Sequence, residues 1–330
     1  MLNPALKLNQ KFFEEAEEAP TRQGYGEGLL ELGEKNPNVV VLSADLTEST
    51  KVNKFAEKYP ERFFECGVAE QNMAAVAAGL AVAGKIPFIS SYATFSPGKN
   101  WETIRTTTVY NRANVKIGGH HSGIVTGPDG ATHQATEDIA ITRCWPKMTV
   151  VVPCDAIEAK KATVASAGFE GPVYLRFTRD KTPVITSNET PFELGKAGLF
   201  WTCDLPQAVI CSTGHLIGEA LLAAKELEEE GVKVNVLNIS SVKPLDIEGI
   251  LEQVKKCGSV VSVEDHQQDG GLGGALSEFL VKNLPAPMEF VGLDNTFAES
   301  GKPKELIEKY NLGKAAIKNA VKKVIERKGK

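Results

Sequence analysis

Charge of one sign is scarce in this 330-residue chain: 37 Lys and Arg stand against 42 Asp and Glu, a net of −5. So even a balance offers no bulk attraction to nucleic acid or to an anionic membrane surface. Long apolar runs are also missing. No unbroken stretch reaches membrane length, and the opening MLNPALKLNQKFFEEAEEAP is charged, without a signal-peptide core. The six cysteines (66, 144, 154, 203, 211 and 257) are scattered, with no CxxC pair and no histidine at zinc-ligand spacing. That pattern predicts a reducing cytoplasmic setting, free thiols, and Cys66, Cys154 and Cys211 as small buried hydrophobes. Thiol catalysis is not expected of them. GxGxxG spacing and a Walker lysine-serine pair are absent as well. The one glycine-rich loop, DGGLGG at 269–274, reads as a turn that needs positive φ rather than a phosphate cradle.

What the chain does have is alternation. Short β-branched runs recur at 39–44, 86–92, 115–119, 149–153 and 173–177, then at 208–213, 232–239, 259–265 and 288–293. Helix-like stretches lie between them at 50–58, 70–83, 99–111, 136–143, 155–167 and 216–230, the last followed by Gly231 as a C-cap. Near-continuous apolar strands separated by helices predict mostly parallel sheets covered on both faces. A Pro- and Thr-bearing connector interrupts the alternation. It divides the chain into an extension over 1–19, a first α/β domain over 20–185, a linker over 186–199 and a second α/β domain over 200–330. The closing KNAVKKVIERKGK reads as a solvated basic helix end.

Two places concentrate ionisable groups. Glu70 heads a helix, 70–83, that is apolar on every face, a composition that predicts burial all round. A first-turn glutamate is ordinarily worth under about 1 kcal/mol against the helix dipole. A partly buried carboxyl aimed into a pocket is the other reading. The loop GGHHSGIVTGPDGATHQATED at 118–138 carries His121, Asp129 and His133 between a strand end and a helix start. In parallel α/β sheets ligands bind beyond the carboxyl ends of strands. Histidine there can donate to phosphate or carry a proton. A polar loop with an Asp-Gly turn and Thr136 as helix cap fits the same letters equally well, and the spacing matches no standard metal-ligand set.

Taken in order, SADLTEST, ECGVAEQNM, SYATFSPGKNW, HHSGIVTGPDGATHQ and YLRFTRDKTP strongly resemble the pyrimidine-binding and C-terminal domains of transketolase, over nearly the whole chain from about Thr21. The resemblance implies thiamine diphosphate as cofactor and the two-domain α/β fold just described. It implies that Glu70 hydrogen-bonds N1′ of the aminopyrimidine, that Phe95 stacks on that ring, and that Asp45 lies near the cofactor and the subunit interface. Trp101 is the candidate for the second stacking aromatic. It further implies that Asp129 and His133 contact sugar hydroxyls, with His133 as a proton carrier. Arg22, Ser49, His121 and Arg179 would hold the distal phosphate, with Arg176 a weaker competitor for the role of Arg179. The diphosphate-binding domain of that family, with its GDG…N metal motif, has no counterpart here. Expected partners are therefore an N-terminal transketolase subunit supplying the Mg²⁺ ligands in an α2β2 assembly, and sugar phosphates as substrates. A 1-deoxyxylulose-5-phosphate synthase-like or 2-oxo acid dehydrogenase beta-type subunit, or a scaffold subunit of the same fold, are the alternatives.

Overall fold

In the computed structural model, which describes residues 1–328, the five β-branched runs of the first half become strands, and a short sixth that the pattern does not announce, Phe63–Glu65, joins them. They are β1 (Val39–Ser43), β2 (Phe63–Glu65), β3 (Ile86–Tyr92), β4 (Lys116–His120), β5 (Thr149–Val151) and β6 (Val173–Arg176). They line up in the order β5-β6-β4-β3-β1-β2, all parallel. Every residue of β1, β4, β5 and β6 is buried, as a sheet covered on both faces requires. The second half supplies β7 (Gly198–Trp201), β8 (Ala208–Ser212), β9 (Val234–Asn238), β10 (Ser241–Lys243), β11 (Val260–Gln267) and β12 (Met288–Leu293). Five of these form a second sheet, β12-β11-β8-β9-β7, parallel except for β7. The architecture is thus two α/β domains with mostly parallel sheets flanked by helices.

The domains are joined more closely than a linker implies. β10 leaves its own domain and pairs antiparallel with β5, extending the first sheet to seven strands. One apolar core runs through both halves, packing Leu42, Ile89 and Val150 with Val209, Leu237 and Leu276. The first residues dock on the second domain: Leu2 bridges Trp201 and Phe12 is buried in that domain's core. Glu18–Ala19 then pairs with Thr182–Pro183.

Several local expectations change. The helix expected over 99–111 is helical from Thr94 to Val109 but wound in wide turns, with Ser96 extended inside it. The helix expected from 136 is Asp138–Arg143, and Thr136 does not cap it; its N–H and hydroxyl donate to the Glu137 carboxylate. Cys66 is only half-buried, unlike Cys154 and Cys211. In the DGGLGG loop only Gly270 takes positive φ. Gly271 is required for a different reason: a Cβ there would collide with the Glu264 carboxylate, which accepts from the Leu272 and Gly273 N–H groups. The helix N-terminus does hold an anion, and the anion is the chain's own. Burial outweighs those two bonds and pushes the Glu264 carboxyl up to about 7. The basic helix end is likewise committed internally, with Lys318, Lys322, Lys323 and Arg327 paired to Glu226, Glu230 and Glu289.

Candidate active site

Because strands β5 to β2 run the same way, the loops leaving their carboxyl ends share one edge of the sheet, where ligands bind in such folds. The segment after β1 carries Asp45 and Ser49, the turn after β2 leads to Glu70, and the segment after β3 carries Phe95. The loop after β4 carries His121, Asp129 and His133, and β6 runs on to Arg179. Arg22 joins them from the first turn of helix α1 (Thr21–Lys35).

Glu70 opens helix α2 (Glu70–Val82) and is 2% exposed. Its Oε2 lies 2.8 Å from Lys99 Nζ. Its backbone carbonyl accepts from Asn100 Nδ2 at 3.0 Å, and that same amide donates to Ser96 Oγ at 3.1 Å. The segment after β3 therefore grips Glu70 at both its carboxylate and its backbone. The same segment sets the Phe95 ring, stacked 5.9 Å from Tyr92 and edge-on 5.5 Å from His133. Tyr92 in turn stacks on His121 with ring centres 3.8 Å apart.

Beside these rings is a cationic cluster short of anions. Arg22 donates through Nη1 to the Ser49 carbonyl at 2.7 Å, so Ser49 is recruited through its backbone. Arg179 Nε lies 3.8 Å from Asp129 Oδ2. Burial, then the charge of Arg179, disfavours the Arg22 guanidinium. His121 is held at about 3 by burial, then by Arg22, Arg179 and His133, so its imidazole is neutral. Arg22 Nε and His121 Nδ1 are both buried with no hydrogen-bond partner among the described residues. Native proteins rarely leave such atoms unpaired; the two guanidinium groups beside these nitrogens have the donor geometry that suits a tetrahedral anion. His133 is half-buried, edge-on to Tyr92 and Phe95, with Nδ1 2.8 Å from Thr132 Oγ1.

Not every expected residue joins this group. Asp45 is exposed on the segment after β1 at φ +60°, its amide donating to Glu65 Oε1 at 2.7 Å. Trp101 donates its indole N–H to the Ile141 carbonyl at 2.8 Å and stacks on Trp145 at 5.1 Å, which turns it into the core rather than toward Phe95. Arg176 drops out as a competitor of Arg179, since it is buried against Asp138 at 2.8 Å. The sequence reading missed Tyr92, Lys99 and His120. His120 is fully buried between Tyr25 and Phe177, ring centres 4.9 and 5.1 Å away. Only Tyr92 carried a signal, being the aromatic at a strand end; Lys99 meets Glu70 across 29 residues of sequence. Among the described residues no three His, Cys, Asp or Glu side chains stand together as metal ligands.

Comparison with known proteins bears on both domains. A family model described as transketolase, pyrimidine binding domain, matches residues 17–184, and one described as transketolase, C-terminal domain, matches 202–317. A Methanocaldococcus jannaschii protein provisionally named transketolase C-terminal section is 44% identical, covering 90% of this chain and 93% of that one. A subunit named for 6-deoxy-6-sulfo-D-fructose transketolase in Clostridium sp. is 39% identical over 97% of this chain and 99% of its own. Among solved structures, a split gene transketolase described as an inactive beta4 tetramer superimposes with a TM-score of 0.87 at 42% identity, over 94% and 99% of the two chains.

Proposed function

Since the chain belongs to the transketolase family, we propose that it is the C-terminal subunit of a thiamine diphosphate-dependent transketolase, moving a two-carbon ketol unit between ketose and aldose phosphates. The observation that carries this reading is the anion pocket of Arg22, Arg179 and His121, with its two orphaned nitrogens, on the same sheet edge as the clamped carboxylate of Glu70. A relative named for a 6-sulfo sugar supports the same placement, because that substrate also carries a tetrahedral anion at its distal carbon.

The residues present fit the aminopyrimidine end of the cofactor: a buried carboxylate for a ring nitrogen, and the Phe95 ring for its face. When bound, thiamine diphosphate supplies the carbon nucleophile and the electron sink. Glu70 holds and protonates the ring nitrogen, with Lys99 keeping its carboxylate aimed. Arg22, Arg179 and neutral His121 bind the distal anion and so set the reach of the sugar. Asp129 accepts from a sugar hydroxyl and orients it. His133 moves a proton at the hydroxyl next to the bond that is made or broken. The diphosphate and its Mg²⁺ are assigned to an N-terminal partner subunit in an α2β2 assembly, in keeping with the subunit and split-gene descriptions of the relatives.

The test is ketol transfer from xylulose 5-phosphate to ribose 5-phosphate by the assembled subunits. Glu70→Gln lowers turnover by roughly 10²-fold or more, the range of a lost acid-base group, while the melting temperature stays within a few degrees. Wild-type turnover by the Glu70→Gln variant removes the assignment.

A further inference from the structure

The second domain reaches into the active-site edge of the first, and its contacts fall on one loop. Residues 122–135 leave β4 and return, and the neck of the loop is closed by the Gly123 N–H donating to the Ala135 carbonyl at 2.7 Å. Asp265, near the end of β11 in the second domain, is buried over that neck. Its Oδ1 accepts from the Ile124 N–H at 2.9 Å and its Oδ2 pairs with His215 Nε2 at 3.0 Å. The carboxylate sits so close that a Cβ on Gly123 would collide with it, and Gly123 takes φ +76°. From the other side, Arg176 Nη2 donates to both the Ala135 carbonyl at 3.1 Å and the Asp265 carbonyl at 2.9 Å. Its Nε meanwhile meets Asp138. Farther along, Gln134 Nε2 donates to the Glu299 carbonyl, and the Gln267 N–H to the Thr136 carbonyl.

Asp129 and His133 ride on the arc between those pinned ends, and His121 precedes the neck by two residues at φ +54°, a conformation a non-glycine residue keeps only when its surroundings impose it. We propose that Asp265 is a positioning residue: through the Ile124 N–H it holds the neck of the 122–135 loop, and thereby holds the His121–Arg22–Arg179 anion pocket in binding geometry. The second domain then acts as a brace for a site whose ligand-binding side chains all lie in the first. The proposal rests on the functional reading above for what the pocket binds, but not for the brace itself.

The full chain is measured in two ways, by hydrogen exchange of the 121–135 peptides and by calorimetric binding of inorganic phosphate, with Arg22→Ala as the control for the pocket. Asp265→Ala speeds exchange in 121–135, leaves β1 and β8 peptides as in the wild type, and weakens phosphate about tenfold, the size of one charged hydrogen bond. Asp265→Asn keeps an oxygen for the Ile124 N–H and restores both readouts to within about twofold. If Asp265→Ala fails to fold, His215→Ala, which frees the carboxylate to swing, carries the test with loosening in the same peptides. Wild-type exchange in these variants overturns the brace. Looser exchange with unchanged phosphate affinity overturns its link to the pocket. If the wild-type chain binds no phosphate, the anion-pocket reading fails while the exchange arm still decides the brace.

Discussion

Burial, then the charge of Arg179, disfavours the Arg22 guanidinium, and an anion bound beside both offsets that penalty. Removing either guanidinium leaves the other less repelled but the anion underbound. Arg22→Ala or Arg179→Ala therefore weakens phosphorylated acceptors by about 1.5–3 kcal/mol, the contribution of a charged hydrogen bond. A short unphosphorylated acceptor such as glycolaldehyde is nearly unaffected. Comparison of kcat/KM for the two acceptors checks this, and equal losses take the arginines out of the site. His120, just behind the pocket, responds to pH instead. Burial, then His121 and Arg22, lowers its pKa well below 6.5, so the unfolded chain takes up a proton near pH 6 that the folded chain refuses. Its contribution is harmless above about pH 7 and costs stability as pH falls through 6.5, on the order of 1 kcal/mol by pH 5.5. Glu264 works in the opposite direction, because its raised value favours the folded state as pH falls from about 7. The net profile of the wild type therefore mixes the two, whereas His120→Gln isolates one. The difference in denaturant-derived stability between pH 7.5 and 5.5 shifts by that amount, on the order of 1 kcal/mol, in favour of acid in the variant; an unchanged difference means His120 is protonated in the fold.

Helix α2 shows how far pattern alone carries and where it stops. Its apolar composition announced a buried element, and Met73, Ala74, Ala77 and Ala78 are indeed packed inside. The opposite face is open: Val76 is 38% and Val82 81% exposed, with Val68 and Phe64 exposed nearby. Periodicity reports that a face wants an apolar neighbour, and cannot report whether that neighbour lies in the same chain. Nine of the strands were readable within a residue or two because β-branched runs bounded by turn residues have few other uses, whereas the short Phe63–Glu65, Gly198–Trp201 and Ser241–Lys243 were not. The wide-turned stretch from Thr94 to Val109 was not, since its winding serves the grip on Glu70 rather than local propensity. His121 and Arg179, which strand order brings to one edge, are residues the motif series names. Lys99 and Asp265 did not, because each acts through a contact made only in the folded chain. On the proposed reading the open face of α2 meets another subunit. Val82→Lys, on the exposed surface, then leaves the melting temperature of the single chain within about 1–2 °C. It shifts the assembled species toward smaller ones in sedimentation velocity, and an unaltered distribution places the interface elsewhere.

The two halves of the chain share more than a linker, and that has a thermodynamic consequence. Separate domains of a single polypeptide ordinarily have their own cores and boundaries crossed by few contacts. Here β10 of the second domain completes the first sheet beside β5, one core cluster contains side chains from both sheets, and the first thirteen residues pack on the domain farther along the sequence. Between the halves also lie hydrogen bonds of buried groups, from the Ile124 N–H to Asp265 Oδ1 and from Arg176 Nη2 to the Asp265 carbonyl, which are lost when either half unfolds. Unfolding the second domain thus strips an edge strand, part of the core and these hydrogen bonds from the first, and unfolding the first removes the same core and bonds from the second, so the half-folded state is disfavoured. The chain is expected to melt as one cooperative unit. At about 0.7 kcal/mol per residue the calorimetric enthalpy comes to roughly 230 kcal/mol for the 330-residue chain, and in a single transition the van't Hoff enthalpy equals it. Two resolved transitions, a van't Hoff value near half the calorimetric one, or a proteolytic fragment beginning near residue 200 that stays folded would show that the shared strand and core do not couple the domains.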